Sequence, residues 1–182
     1  MKKTVFLFWL ALFVAGLAVG CNKPFTPPEI VGTWGSYLSD YEPFFLYGDA
    51  EALDYYPDLK IKVDDANDMM NQVLKDPETI SILEDGTFTF IFRSGDIAKG
   101  SYLQNGSYIY FTFTSGHYPE VEALYGETDG VNMFLYLNSL IIKPIYLRLI
   151  DLDSDEYELL FGESNPILTD MRAVLVFSFN HK

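Results

Sequence analysis

The sequence predicts a mainly β protein: an antiparallel barrel of about eight to nine strands, with a helical insertion between the first two. Three observations carry this. Phe88, Phe90 and Phe92 recur at spacing two, which puts three rings on one face of a strand. Asp85-Gly86 and Asn105-Gly106 separate alternating runs, and glycine there supplies the positive φ of a tight hairpin turn. Beyond residue 20 the chain holds 12 Phe, 13 Tyr and one Trp, large side chains that favour strands.

The strands are read in order. Val31 to Leu38 is the first. Residues 79–94 form a hairpin, with Ile80 and Ile82 on one arm and the three Phe on the other. The pattern returns in Ser101-Tyr102-Leu103, the turn at Gln104 to Ser107, and Tyr108 to Thr114. Val131 to Asn138, Ile145 to Asp151, Glu156 to Phe161 and Arg172 to Phe179 complete the set. Closing the sheet removes its exposed edges.

Residues 43–78 interrupt this regularity. Asp49 to Tyr56 forms a short helix ending at Pro57. A better helix spans Asp65 to Asp76: Ala66, Met69, Met70, Val73 and Leu74 follow helical spacing, Asp64 or Asp65 caps it, and Pro77 stops it. An insertion this long among short turns points to function or to a cover. Met69, Met70 and Val73 would face a cavity walled by Phe88, Phe90 and Phe92. Those rings either fill the barrel themselves or line a space for one small ligand.

The first 21 residues place the chain in the cell. Met1, Lys2 and Lys3 are followed by an apolar run of 15 residues, Val5 to Val19, and then by Gly20 and Cys21, the sole cysteine. This is the layout of an exported protein. The run is shorter than the roughly 20 residues that a membrane span needs. With its lone cysteine after small residues, it resembles a bacterial lipoprotein signal. That resemblance implies cleavage before Cys21, acylation of its thiol, and a lipid-anchored protein of the cell envelope, at the outer membrane. The family usually has Leu three residues before the cysteine, where this chain has Ala18. Residues 1–20 are then the signal, 21–29 the lipidated cysteine with a Pro-rich tether, and 30–182 the domain. Pro24, Pro27 and Pro28 stiffen the tether, which at ~3.1 Å per residue spans about 25 Å.

Gly32-Thr33-Trp34 opens the first strand. This Gly-x-Trp resembles the signature of lipocalins and of lipocalin-like domains in Bacteroidetes lipoproteins. Gly86-Thr87-Phe88, Gly100-Ser101-Tyr102 and the strand-turn-strand pattern of Tyr146 to Leu160 resemble later parts of those domains. The likeness implies a barrel closed near Trp34 and open at its other end to a small apolar molecule. It also implies an Arg from the last strand packed on the Trp. Arg172 matches in position, and Arg148 is its rival.

Charge narrows the partners. The formal net charge is −14, and loss of Lys2 and Lys3 with the signal brings it to −16. Such a chain is repelled by phosphate backbones, which argues against nucleic acid. An anionic membrane surface repels it too, so the lipid is the anchor. No enzyme and no cofactor are expected. His117 has Glu120 and Glu122 nearby but no further ligand in view, and His181 adjoins the C-terminus. Asp151-Leu152-Asp153-Ser154-Asp155-Glu156 begins like a calcium loop, yet its sixth position is Glu156 and its twelfth Gly162, so it reads as a solvated turn between two strands and not as a metal site. No Gly-x-Ser-x-Gly elbow or phosphate-binding glycine loop occurs. Two functions remain as expectations. One is a barrel that binds a small apolar molecule under the insertion. The alternative is an acidic interaction protein that takes a cationic protein partner, such as a cell-wall-degrading enzyme that it inhibits.

Overall fold

The computed structural model describes residues 26–36, 42–116 and 122–179. Its strands are β1 (Gly32–Ser36), β2 (Phe44–Gly48), β3 (Pro77–Ile82), β4 (Thr87–Phe92), β5 (Ile97–Asn105), β6 (Tyr108–Ser115), β7 (Ala123–Thr128), β8 (Asn132–Leu137) and β9 (Leu168–Phe179). They form one antiparallel sheet in the order β1-β3-β4-β5-β6-β7-β8-β9-β2, and β1 also pairs with β9. That second pairing closes eight strands into a barrel and leaves β2 as an extra strand. β9 makes both possible because it is 12 residues long. Its end pairs with β1 (Trp34 opposite Phe179), and its beginning pairs with β2 (Phe44 opposite Ala173).

Three α-helices and a 3-10 turn (Ala50–Tyr55) cover one end of the barrel. They are α1 (Pro57–Leu74), α2 (Ser139–Leu149) and α3 (Ser154–Phe161). α1 buries Leu59, Val63, Ala66, Met70 and Leu74, a stripe at spacings of three and four. α1 packs on α2 and β2, and α2 and α3 pack on β9. Tyr146 of α2 is buried, touches Phe44 of β2 at 5.5 Å between ring centroids, and donates its hydroxyl to Asn67 Oδ1 of α1.

The barrel interior is aromatic. Phe90 is fully buried, with centroids of Phe88 and Phe113 at 5.5 Å, Phe111 at 6.0 Å, Phe177 at 6.1 Å and Phe92 at 6.4 Å. Edge-to-face arrangements dominate this cluster, as ring quadrupoles favour. The opposite pole closes on Trp34, whose Nε1 donates to the Ile30 carbonyl at 2.8 Å and whose ring meets the edge of Phe179 at 4.9 Å. Gly32 has φ +140° and Phe179 stands 2.6 Å from where its Cβ would be, so the Gly of Gly-x-Trp is needed for backbone and space alike.

Several expectations are corrected. The 3-10 turn and α1 lie between β2 and β3, since residues 43–78 also contain strand β2, and α2 and α3 lie between β8 and β9. The expected short helix is the 3-10 turn Ala50–Tyr55, which ends before Pro57, and Pro57 itself begins α1, as its fixed φ suits the first helical turn. Asp64 and Asp65 therefore lie inside α1 and cap nothing. Residues 145–151 and 156–161 belong largely to α2 and α3, not to strands. Asn138 caps α2 by accepting from Leu140 N and Ile141 N, and Asp153 with Glu156 forms a reciprocal capping box at α3. The acidic run is thus a helix start and not a turn between two strands. β2 and β7 are the two strands that the sequence reading did not contain.

Candidate functional site

An aromatic belt lies on the outer wall of the barrel, on β6 to β8. Strand alternation builds it. Ile109 and Phe111 of β6 point into the core, so Tyr108 and Tyr110 point out. Leu124 and Gly126 of β7 point in, and Tyr125 and Glu127 point out. Register then aligns the outward residues. Leu103, Tyr110, Tyr125, Tyr136 and Val174 each stand opposite the next, on five consecutive strands. Ring centroids are 5.4 Å apart for Tyr110–Tyr125 and 5.9 Å for Tyr125–Tyr136, with Tyr108 stacked 5.9 Å from Tyr125. Such cross-strand aromatic pairs contribute about 0.2–1 kcal/mol each to the sheet. Leu103 is 75% exposed, Tyr110 48% and Tyr125 36%.

Above this belt lies a groove of about 760 Å3. It opens where β8 stops at Leu137 and the chain turns into α2. The floor is Tyr110, Tyr125 and Tyr136; the first turn of α2, with Leu140 and Ile141, forms the wall. Asp170 and Arg172 of β9 stand at the end. Arg172 donates from Nε to Asp170 Oδ2 at 2.7 Å, and its guanidinium lies 5.4 Å from the Tyr47 ring centroid. The Arg172 hydrogen bond holds the Asp170 carboxyl below its usual range. This end therefore offers a fixed donor and a fixed acceptor with no net charge. Partial burial, followed by the hydroxyl's hydrogen bond to Glu127 Oε1 at 2.6 Å, pushes the Tyr136 phenol up to about 12. Its hydroxyl stays protonated across the physiological range.

A smaller hollow of about 390 Å3 lies in the helical cap, between Tyr55, Tyr56 and Asp58 on one side and Asp155, Glu156 and Leu159 on the other. Lys62 bridges to it, with Nζ 2.8 and 2.7 Å from the two Glu156 carboxylate oxygens. The Lys62 bond holds the Glu156 carboxyl below its ordinary value. The surroundings are acidic: residues 49–76 and 139–163 carry fourteen Asp and Glu against five Lys and Arg.

The residues singled out by the sequence fall in different places. Cys21, His117 and His181 lie outside the described residues. Gly32 and Trp34 sit at the closed pole. Arg172 does not pack on Trp34, because Phe179 holds that place; Arg172 pairs with Phe45 of β2, nearer the other end of β9. Arg148 is on α2 in the cap and donates from Nε to the Pro144 carbonyl. Phe88, Phe90 and Phe92 come together in the core. Met70 joins the buried stripe of α1, Val73 is half-buried, and Met69 is 40% exposed, so the three do not share one inward face. Met69 and Met70 are neighbours on a helix and point about 100° apart. Among the described residues no group of three or more His, Cys, Asp or Glu is placed to hold a metal ion. No helix among them is long and apolar enough to cross a membrane.

The tyrosine belt was missed. Its signal was present in Tyr108-Ile109-Tyr110-Phe111, where two Tyr alternate with two core residues. Nothing local says that Tyr125 and Tyr136 fall in the same row, since that depends on register.

No family model matches the chain, and no curated protein matches it. A solved structure, the crystal structure of a DUF4847 family protein from Bacteroides vulgatus, is similar at 16% identity. The match covers 90% of this chain and 99% of that one, with a TM-score of 0.36.

Proposed function

We propose that this chain is a lipid-anchored binding protein of the cell envelope with a lipocalin-like barrel, and that its ligand sits in the outer groove of the β6–β9 wall. The observation that carries the reading is the belt of Tyr110, Tyr125 and Tyr136, in register and half-exposed beside a groove of about 760 Å3. That volume lies in the range of small-ligand sites, and the lining has their mixture of an apolar body with a few polar groups. An apolar ligand inside the barrel would have to displace Phe90 and the five rings around it. Close-packed interiors resist such displacement. The groove needs no rearrangement. The anchor suits it as well. Pro28 accepts a hydrogen bond from Gln104 Nε2 at the Trp34 pole, so the N-terminal segment approaches the barrel at the end away from the helical cap. A lipid on Cys21 would leave the groove clear.

The test uses the full chain in detergent micelles, with saturation-transfer NMR of benzyl alcohol and cyclohexanol and empty micelles as control. The expected result is transfer that is lost in Tyr125→Ala/Tyr136→Ala and kept in Phe90→Leu. Loss in Phe90→Leu alone would move the site into the barrel.

A second reading is favoured by the acidic cap. Its charge excess and the exposed Tyr55 and Tyr56 suit a cationic protein partner, whose ammonium or guanidinium groups take both carboxylates and aromatic faces. Binding of a basic muramidase that weakens steeply with salt, and in Tyr55→Ala/Asp155→Asn, would support it.

A further inference from the structure

We propose that the outer groove takes an uncharged sugar chain; this rests on the groove being the ligand site. Three features of the groove select the ligand class. Its floor is aromatic. Its end is an acceptor and a donor held together, Asp170 and Arg172, at 2.7 Å. Its rim carries further neutral polar groups, Thr112 and Asn138.

A purely apolar ligand would satisfy the floor and strip water from Asp170, Arg172 and Asn138 without replacing it. Buried polar groups left unpaired in this way are costly, which is how a polar site rejects an apolar analogue. An anion would meet the Asp170 carboxylate in a chain of net charge −14, and a cation would meet Arg172. The pair itself is neutral, so it rewards neither sign. A pyranose ring meets both halves of the site. Its axial C–H bonds form an apolar face suited to tyrosine rings. Its rim of vicinal hydroxyls supplies one group that donates to the Asp170 carboxylate and another that accepts from Arg172. Hydrogen bonds to charged partners are about twice as strong as neutral ones, which gives this end its orienting power. Asn138 already spends Oδ1 on the α2 cap, accepting from Leu140 N and Ile141 N, so its amide nitrogen is the group that remains to donate. The groove runs across strands, from Tyr110 on β6 to Arg172 on β9, and suits a chain of rings better than a single one.

The experiment is isothermal titration calorimetry of the full chain in a detergent without a sugar head group. The probes are cellohexaose, maltohexaose, mannohexaose and the N-acetylglucosamine hexamer. At least one should bind with Kd of about 1 mM or tighter. Tyr125→Ala should weaken that sugar about ten-fold or more, Tyr125→Phe should retain most of the affinity, and Asp170→Asn should weaken it several-fold; the last two should melt close to the parent, and Tyr125→Ala should stay folded with a lower midpoint, since it loses three ring contacts. Absence of binding for all four sugars overturns the proposal. So does binding that is unchanged in Tyr125→Ala and Asp170→Asn, which would put the sugar elsewhere. If the sugars fail while saturation transfer to benzyl alcohol still depends on Tyr125 and Tyr136, the groove stands as the ligand site and only the sugar assignment falls. If both fail, the groove reading falls with it.

Discussion

Replacing Phe90 by Ala measures whether the barrel is filled by its own side chains. Phe90 has no exposed surface and sits among Phe88, Phe92, Phe111, Phe113 and Phe177, with centroids between 5.5 and 6.4 Å. Truncating a buried Phe costs about 3–5 kcal/mol, made of lost transfer energy and a term for the cavity left behind. The neighbouring rings are rigid and hang from five other positions of the sheet, so they collapse little into the gap. The expected loss is therefore at the upper end, about 4–5 kcal/mol, a large share of the 5–15 kcal/mol by which domains are stable. Urea denaturation followed by circular dichroism reads it as a lower midpoint at unchanged slope. The gap left behind is apolar and enclosed, and such engineered cavities stay dry and take up benzene. Benzene should accordingly stabilise Phe90→Ala and leave the parent unaffected. A loss below about 1.5 kcal/mol, or benzene uptake by the parent that persists in Tyr125→Ala/Tyr136→Ala, would show that the rings do not fill the interior. The barrel interior would then have room for a ligand.

Further outcomes follow from single residues. Gly100→Ala would bring a Cβ against the Thr112 carbonyl oxygen and within 2.7 Å of the Phe88 ring, so it should destabilise by about 1–3 kcal/mol in thermal melts. Asp153→Ala removes the acceptor for Asp155 N and Glu156 N at the start of α3 and should cost about 1 kcal/mol in the same assay. Tyr136 should ionise near pH 12 in an ultraviolet titration; because the folded state favours the neutral phenol, its contribution is complete below the unfolded value of about 10 and fades as pH rises from there to about 12. Glu127→Gln should lower that ionisation and narrow the window. Cys21→Ser should release the protein from the membrane or leave it uncleaved, and mass spectrometry of the mature N-terminus showing an unacylated Cys21 would refute the anchor.

What the sequence disclosed depended on the range of the signal. The hairpins at Asp85-Gly86 and Asn105-Gly106 were legible because turn and alternation are local, and both occur as β3–β4 and β5–β6. Trp34 was legible as core from its place in Gly-x-Trp, and it is fully buried. The segments 145–151 and 156–161 were misread because their apolar residues fit either period over so short a length. The capping box at Asp153 and Glu156 is the helical signal in that stretch. β2 has apolar residues on both faces, Phe44 buried and Phe45 and Tyr47 exposed, so it shows no alternation. The groove was not legible at all. It arises from the register of four strands and from α2 starting where β8 ends, and both are long-range.

The central claim is that the ligand surface is the outer β6–β9 wall. The most direct measurement is tyrosine nitration by tetranitromethane on the full chain, mapped by peptide mass spectrometry with and without saturating benzyl alcohol. Tyr110 and Tyr125 should be protected, with Tyr55 and Tyr56 nitrated equally in both states. Protection at Tyr55 and Tyr56 instead, or no change at Tyr110 and Tyr125, would contradict that claim.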